Sequence, residues 1–450
     1  MKNWVRILAG LILLVLPLLI PRGEGRDLAP AEKWVARYDG PAYGGDGAED
    51  IAVDASGNIY VTGYSQGSGT DNDYATLKYN PSGTQLWAKR YNGPGNGVDC
   101  AAAIAVDGSG NVYVTGQCKT SGSGYDFATI KYNTNGKQLW VKTYNGPGSS
   151  DDMARAIAVD GSGNVYVTGL SKGSGTDFDF ATIKFDKAGA VIWARRYDGV
   201  SHGPDVAAAI AVDGSGNVYV TGDSQGSGKT SDFATVKYSP SGQQLWAQRY
   251  NGPGNDSDGA VAITVDRSGN PIVAGWSKGS GTDFDYAAIK YSPKGKRLWA
   301  QRYNGPGNGT DIAQAVTVDG SNNVCVTGYS KGSGTDYDFA TVKYNASGAR
   351  LWAKRYNGSA NSEDLAWAMT VDGSGNIIVV GESARANNTR DYATVKYSPS
   401  GKQLWVKKYD GTAHQYDCAV AVAADGSGNI YVTGTSSGFK TDTDYATVKY

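Results

Sequence analysis

One segment recurs eight times at an unbroken interval of 53 residues, and that interval limits what the chain can fold into more than any other feature. The segment reads Asp-x-Ser-Gly-Asn, with one Asn-for-Gly exchange, and a short apolar run follows it. Its copies begin at Asp54, Asp107, Asp160, Asp213, Asp266, Asp319, Asp372 and Asp425. A fixed period of this size marks a repeat architecture, in which each unit buries its apolar face only against its neighbours. Length alone would suggest several domains in 450 residues. The period runs from Trp34 to Tyr450, so residues 26–450 are expected to form one repeat domain.

The second unit shows the pattern. Asp99 to Val106 is a small-residue alternating stretch, strand a, and Asp107 to Asn111 is a tight turn whose Asp caps its own backbone. Val112 to Gly116 is strand b, rich in β-branched and aromatic residues. A polar loop, Gln117 to Tyr125, leads to strand c, Phe127 to Tyr132; after the turn Asn133–Gly136 comes strand d, Leu139 to Tyr144. Four short strands per unit with no helical period point to an all-β fold, a β-propeller with four antiparallel strands per blade. The ends set the blade number. Strand-d tryptophans stand at 34, 87, 140, 193, 246, 299, 352 and 405, the first before any strand a, and the chain stops after the eighth strand c. Closing the ring with the N-terminal strand completes eight blades and leaves no unpaired edge. Residue size agrees: Ala stands at every equivalent of Ala48, where blades converge, while Trp and Tyr fill the wider rim.

These units, Asp-x-Ser-Gly-Asn-(Val/Ile)-Tyr-Val-Thr-Gly, then Asp-(Tyr/Phe)-Ala-Thr-(Val/Ile)-Lys-Tyr, then Gly-x-x-Leu-Trp, resemble the bacterial SBBP β-propeller repeats. The resemblance implies an exported or cell-surface propeller and maps no catalytic residue onto this chain. A fainter likeness is to quinoprotein propellers, which also place a Gly four residues before a docking Trp, as in Gly83 and Trp87. Those enzymes carry a vicinal disulfide, and no adjacent cysteine pair exists here.

Several polar positions recur in every unit. Asp46, Asp99, Asp152, Asp205, Asp258, Asp311, Asp364 and Asp417 open strand a, and symmetry places them as a ring at one channel mouth. Such a ring can attract cations, or each Asp can accept backbone hydrogen bonds in the loop entering its blade; the second is the expectation. The doublets Asp71-x-Asp73, Asp177-x-Asp179, Asp283-x-Asp285, Asp336-x-Asp338 and Asp442-x-Asp444 lie in Gly/Ser loops. Carboxylates so spaced make these the candidate calcium ligands, although the twelve-residue calcium loop is absent. No other cofactor is expected.

A ligand site is sought where the symmetry breaks. The equivalents of Glu49 include Arg155, Gln314 and Trp367, the most diverse position in strand a and a candidate patch at the channel mouth. In the seventh unit Arg385 and Arg390 replace small loop residues and are candidates for an anionic ligand. His202 and His414 lie in d–a loops without companions at zinc-ligand spacing. If strands a and b of the second blade pair symmetrically about Ser109, Cys100 faces Cys118, and a disulfide joins them.

Residues 1–25 differ from the rest: Lys2 and Arg6 flank an apolar run from Ile7 to Ile20, which Pro21-Arg22-Gly23-Glu24-Gly25 ends. This is the layout of a secretory signal peptide, too short for a comfortable membrane span. The mature protein is expected to be secreted, periplasmic or on the cell surface, with no membrane span unless this segment is retained as an anchor. Without it the net charge is −3, and no basic run meets a nucleic-acid backbone. The function expected is a non-catalytic binding platform for a protein, glycan or envelope component. The alternatives are a polysaccharide hydrolase or lyase or a quinoprotein relative, and a purely structural envelope or matrix protein.

Overall fold

The computed structural model describes residues 29–450 other than 123, 227, 229, 388 and 440, so the expected export signal over 1–25 lies outside the described residues. Thirty-two strands, β1 to β32 in chain order, form eight four-stranded antiparallel sheets. The first strand, β1 (Trp34–Tyr38), stands alone in sequence. Blade 1 is β2 (Asp46–Val53), β3 (Ile59–Gln66), β4 (Asn72–Tyr79) and β5 (Gln85–Tyr91). The later blades repeat this order, and the last comprises β30 (Asp417–Ala424), β31 (Ile430–Ser437) and β32 (Thr443–Lys449), with β1 as its outer strand. The eight-bladed propeller closed by its N-terminal strand is therefore the fold. Among the described residues no helix is long and apolar enough to cross a membrane.

Each tight turn between strands a and b is built on its Asp. In the second blade Asp107 Oδ1 accepts the N–H groups of Ser109 and Asn111, while Oδ2 accepts Asn111 Nδ2 and the Tyr113 hydroxyl, all at 2.7–2.9 Å. Where Ile272, Cys325 and Ile378 replace that tyrosine, a strand-c lysine takes over: Lys290, Lys343 and Lys396 each lie 2.8 Å from Asp266, Asp319 and Asp372. In the tyrosine-bearing blades the same lysine lies over the tyrosine ring, as Lys78 does over Tyr60 at 5.0 Å. Lys78 then donates to the Thr134 carbonyl of the next blade, so the recurrent lysine ties blades rather than its own strand.

Blade junctions rest on the tryptophans. Trp87 Nε1 donates to the Thr134 carbonyl at 3.2 Å, and its ring lies against Gly136 of the next blade, where a Cβ would come within 2.9 Å of it. At the seam Trp34 repeats this, donating to the Pro81 carbonyl and packing on Tyr79 of blade 1 and Tyr431 of its own blade at 6.3 and 6.1 Å. Arg37 adds an ion pair to Asp444 at 2.7 Å, so the two chain ends meet as any two strands of a blade do.

Strand a is not the regular ladder partner of strand b. In every blade the register slips by one residue, between Ala48 and Asp50 in the first. Opposite the slip stands the strand-b glycine, Gly63 and its equivalents, where a Cβ would lie 2.0 Å from the Gly47 carbonyl oxygen. This bulge corrects the expected disulfide. With a bulge at Ala102, Cys100 faces Gln117 and Cys118 faces Asp126 of the next strand. A one-residue slip turns neighbouring side chains to opposite faces, so both cysteines are free thiols.

Trp34→Ala tests the seam. Loss of a half-buried tryptophan there should cost about 2–3 kcal/mol in denaturant unfolding, below the usual range for a fully buried one. A cost below about 0.5 kcal/mol, the scale of an uninvolved surface change, would show that β1 does not close the ring.

Candidate functional site

The bulge decides which side chains reach the channel. Glu49 is the residue ejected from the strand-a ladder, and its equivalents occupy the same place in each blade. Glu49 and Arg155 line a channel cavity of about 540 Å³ with Tyr64, Cys100, Gln117 and Val261. Gln314 and Trp367 lie outside that cavity's lining; Trp367 instead packs edge-on against Tyr329, 5.9 Å between centroids. Of the four candidates the structure thus brings two into one cavity.

Desolvation raises several carboxyls on the inner strands above the usual carboxylate range. Although its side chain is exposed to the channel, Glu49 is pushed up to about 7, first by desolvation among the surrounding blades and then by the charge of Asp50. Asp50 is raised to about 6 by burial, against which the N–H groups of Ile104 and Ile51 work. On strand b, Asp223 is raised to about 7 by burial, partly offset by the Ala260 N–H.

The strand-a aspartates are turned onto backbone N–H groups and do not form an open acidic mouth. All eight are at most 1% exposed. Asp99 is typical: Oδ2 accepts the Gly93 N–H at 2.6 Å and Oδ1 the Lys119 N–H at 2.7 Å, which pins the d–a loop to strand b. Burial raises its pKa to about 6 despite those bonds.

The Asp doublets are also drawn apart. Three of the five first members take lysines: Asp177 takes Lys172, Asp283 takes Lys278 and Asp336 takes Lys331 at 2.6–2.7 Å. Their second members take the strand-d arginine, as Asp73 takes Arg90 and Asp179 takes Arg196. Nor do the two loop arginines face an open anion site: Arg385 pairs with Asp391 and Asp410, and Arg390 with Glu363 and Glu382. His202 and His414 each meet a loop aspartate, Asp198 and Asp410, at 2.6 Å.

A cleft that sequence reasoning missed lies across blades 5 to 7, at the end where strand b turns into strand c. It encloses about 440 Å³, and Trp276, Phe284, Thr310, Tyr329, Tyr337 and Glu363 are among its walls. Trp276 and Phe284 meet edge to face at 4.7 Å, and Tyr329 and Tyr337 at 5.4 Å. Lys278 and Lys331 lie over the Phe284 and Tyr337 rings at 5.0 and 5.1 Å. Local sequence makes the room: Trp276 pairs with Gly259, where a Cβ would come within 2.5 Å of the indole. The available signal was the residue after the strand-b glycine, which runs Tyr64, Gln117, Leu170, Asp223, Trp276, Tyr329, Glu382 and Thr435 around the ring.

Residues 43–69, 139–178, 192–228 and 412–440 match the family model described as the SBBP β-propeller repeat. The chain is also similar to an uncharacterized WD repeat-containing protein of Acanthamoeba polyphaga mimivirus, 24% identical over 421 residues; the match covers 82% of this chain and 26% of that protein. Among solved structures it is similar to the WD40 domain of SCAP from fission yeast, with 10% identity, 92% and 98% of the two chains covered and a TM-score of 0.48. It is likewise similar to the β-propeller domain of the Trilobed protease from Pyrococcus furiosus, with 9% identity, coverage of 80% and 97% and a TM-score of 0.45.

The raised carboxyls set a pH dependence. Glu49, ordinarily near 4.5, keeps its proton in the folded chain up to about 7. Between those values the folded state binds more protons than the unfolded one, so stability falls as pH rises across that window. Glu49→Gln should melt with wild type at pH 4 and above it at pH 8, by a margin that channel water reduces. Equal melting temperatures at pH 8 would refute a raised Glu49.

Proposed function

Built from SBBP β-propeller repeats, the chain is, we propose, an exported, non-catalytic binding platform that receives an apolar anchor of a partner protein in the aromatic cleft of blades 5 to 7. One observation carries this reading: Trp276, Phe284, Tyr329 and Tyr337 converge on one concavity although the ring is otherwise near-symmetric. Clustered Trp and Tyr in a concave, partly desolvated place are the side chains that dominate protein interfaces. Their ring contacts with one another and with Lys278 and Lys331 hold them in place before binding, which lowers the entropy cost of association. Thr310 and Glu363 at the edge supply polar groups that orient a guest.

Export rests on the basic, apolar and small-residue order of residues 1–25. N-terminal sequencing of fractionated protein should find a chain beginning near residue 25 outside the cytoplasm; a cytoplasmic chain that keeps Lys2 would overturn it.

Arrays of peptides and of glycans, probed with the purified protein, test the platform. Peptide binding should weaken at least about tenfold in Trp276→Ala and Tyr329→Ala, as hot-spot truncation does, while the melting temperature holds within a few degrees. Peptide binding indifferent to both substitutions, binding to glycans alone, or turnover of a polysaccharide or quinone substrate would overturn the reading.

A further inference from the structure

We propose that the junction of blades 3 and 4 binds a divalent cation of calcium's kind between Asp179, Asp198 and Asp205, and that the ring seam binds a second between Asp39, Asp46 and Asp444. In each set one oxygen from every residue lies within 4.8 Å of the others. An ion held at 2.3–2.6 Å by each oxygen requires ligand separations of up to roughly 5 Å. Convergence of acids is not by itself a site; the state of their oxygens is the second observation.

Asp179 is 3% exposed and Asp205 0%. Asp179 Oδ2 accepts Arg196 Nη2 at 2.6 Å and Nε at 3.2 Å; Asp198 Oδ2 is held by His202, and Asp205 Oδ2 by the Gly199 N–H. The remaining Oδ1 atoms of Asp179 and Asp198 are shielded from solvent and have no hydrogen-bond partner, while Asp205 also takes the Ser224 hydroxyl. Buried carboxylate oxygens without a donor carry a large desolvation cost that a cation removes. The donors of Arg196 go to Asp179 Oδ2, the Ser171 hydroxyl and carbonyl, and the Tyr144 hydroxyl, so the guanidinium does not serve these atoms.

The seam has the same build. Oδ1 of Asp39 and of Asp444 lack partners, while Asp46 accepts the Gly40 and Gln66 N–H groups and the Ser65 hydroxyl. All donors in both sets are oxygens, which favours a hard cation over the metals that seek nitrogen or sulfur.

The repeat supplies its own controls. Asn92, Asn145, Asn251, Asn304 and Asn357 stand where Asp39, Asp198 and Asp410 stand in the other three loops. The third carboxylate is thus confined to three junctions. At the third of them, Asp391, Asp410 and Asp417, Arg385 bridges Asp391 and Asp410 and already occupies the place of an ion. The seam ion would join Asp444 of the last strand to Asp39, which follows the first, and so add a metal clip to the closure.

Calcium titrated into chelator-treated protein, read by calorimetry and by thermal melting, decides the matter. Two ions per chain are expected, with a rise of about 3 °C for each at a hundredfold excess over Kd. Asp198→Asn and Asp39→Asn install the residue that five other loops carry, so the fold is kept. Each should remove one ion and part of the calcium-dependent rise, whereas Asp410→Asn should leave two. Absence of calcium binding, or two ions retained in Asp198→Asn and Asp39→Asn, overturns the proposal. So does a melting temperature that ignores calcium and climbs on acidification, since the carboxylates would then share a proton.

Discussion

Everything on the inner face of this ring depends on one close approach: the carbonyl oxygen of Gly47, or its equivalent, sits 2.0 Å from where a Cβ on the strand-b glycine would be. That contact admits no side chain, and with it goes the slip in strand a. The slip ejects Glu49 and its counterparts from the ladder, and Glu49 and Arg155 reach the channel cavity, while Ala48 and its counterparts stay buried. A glycine that looks like a flaw in a β-branched strand is thus what separates positions that must stay alike from positions free to differ. The chain uses that freedom at Glu49, Arg155 and Trp367, and again one residue past the glycine at Trp276 and Tyr329.

The framework tolerates substitution because neighbouring groups can exchange duties. When a strand-b tyrosine becomes Ile272, Cys325 or Ile378, the turn aspartate turns to a strand-c lysine. Where Lys408 stands in place of the strand-d arginine, Arg385 from the b–c loop reaches Asp391. Removing one member of a buried charged pair is costly because the other is left unpaired, so drift in a repeat proceeds by replacing the partner rather than by losing it. This explains why Arg385 of the seventh blade, conspicuous as a departure in sequence, is tied into the frame.

The blade count, the closing strand and the turn chemistry were legible in the sequence, because period, residue size and chain ends all follow from one-dimensional spacing. The bulge was not, since symmetric pairing about Ser109 is the simplest register. The unvarying Gly116 inside strand b was the warning against it. The particular partners of Asp73 and Lys78 were also hidden: Asp73 finds Arg90 on the next strand of its own blade, and Lys78 a carbonyl of the next blade. The channel candidates Glu49 and Arg155 were found from their diversity alone. The aromatic cleft was missed because its residues come from three blades, and only the ring brings them to one opening.

Asymmetry in a closed ring carries positional meaning that asymmetry in a linear array lacks. The aromatic cleft, the carboxylate sets and the paired arginines all sit at the end where strand b meets c and strand d meets the next a. The opposite end keeps its Asp-capped turns and tryptophan contacts nearly uniform from blade to blade. Uniform turns bind blade to blade and leave little room for change, because every junction demands the same fit. The looped end bears less of that load, so it is there that a blade can acquire an indole or an extra carboxylate while the ring remains closed.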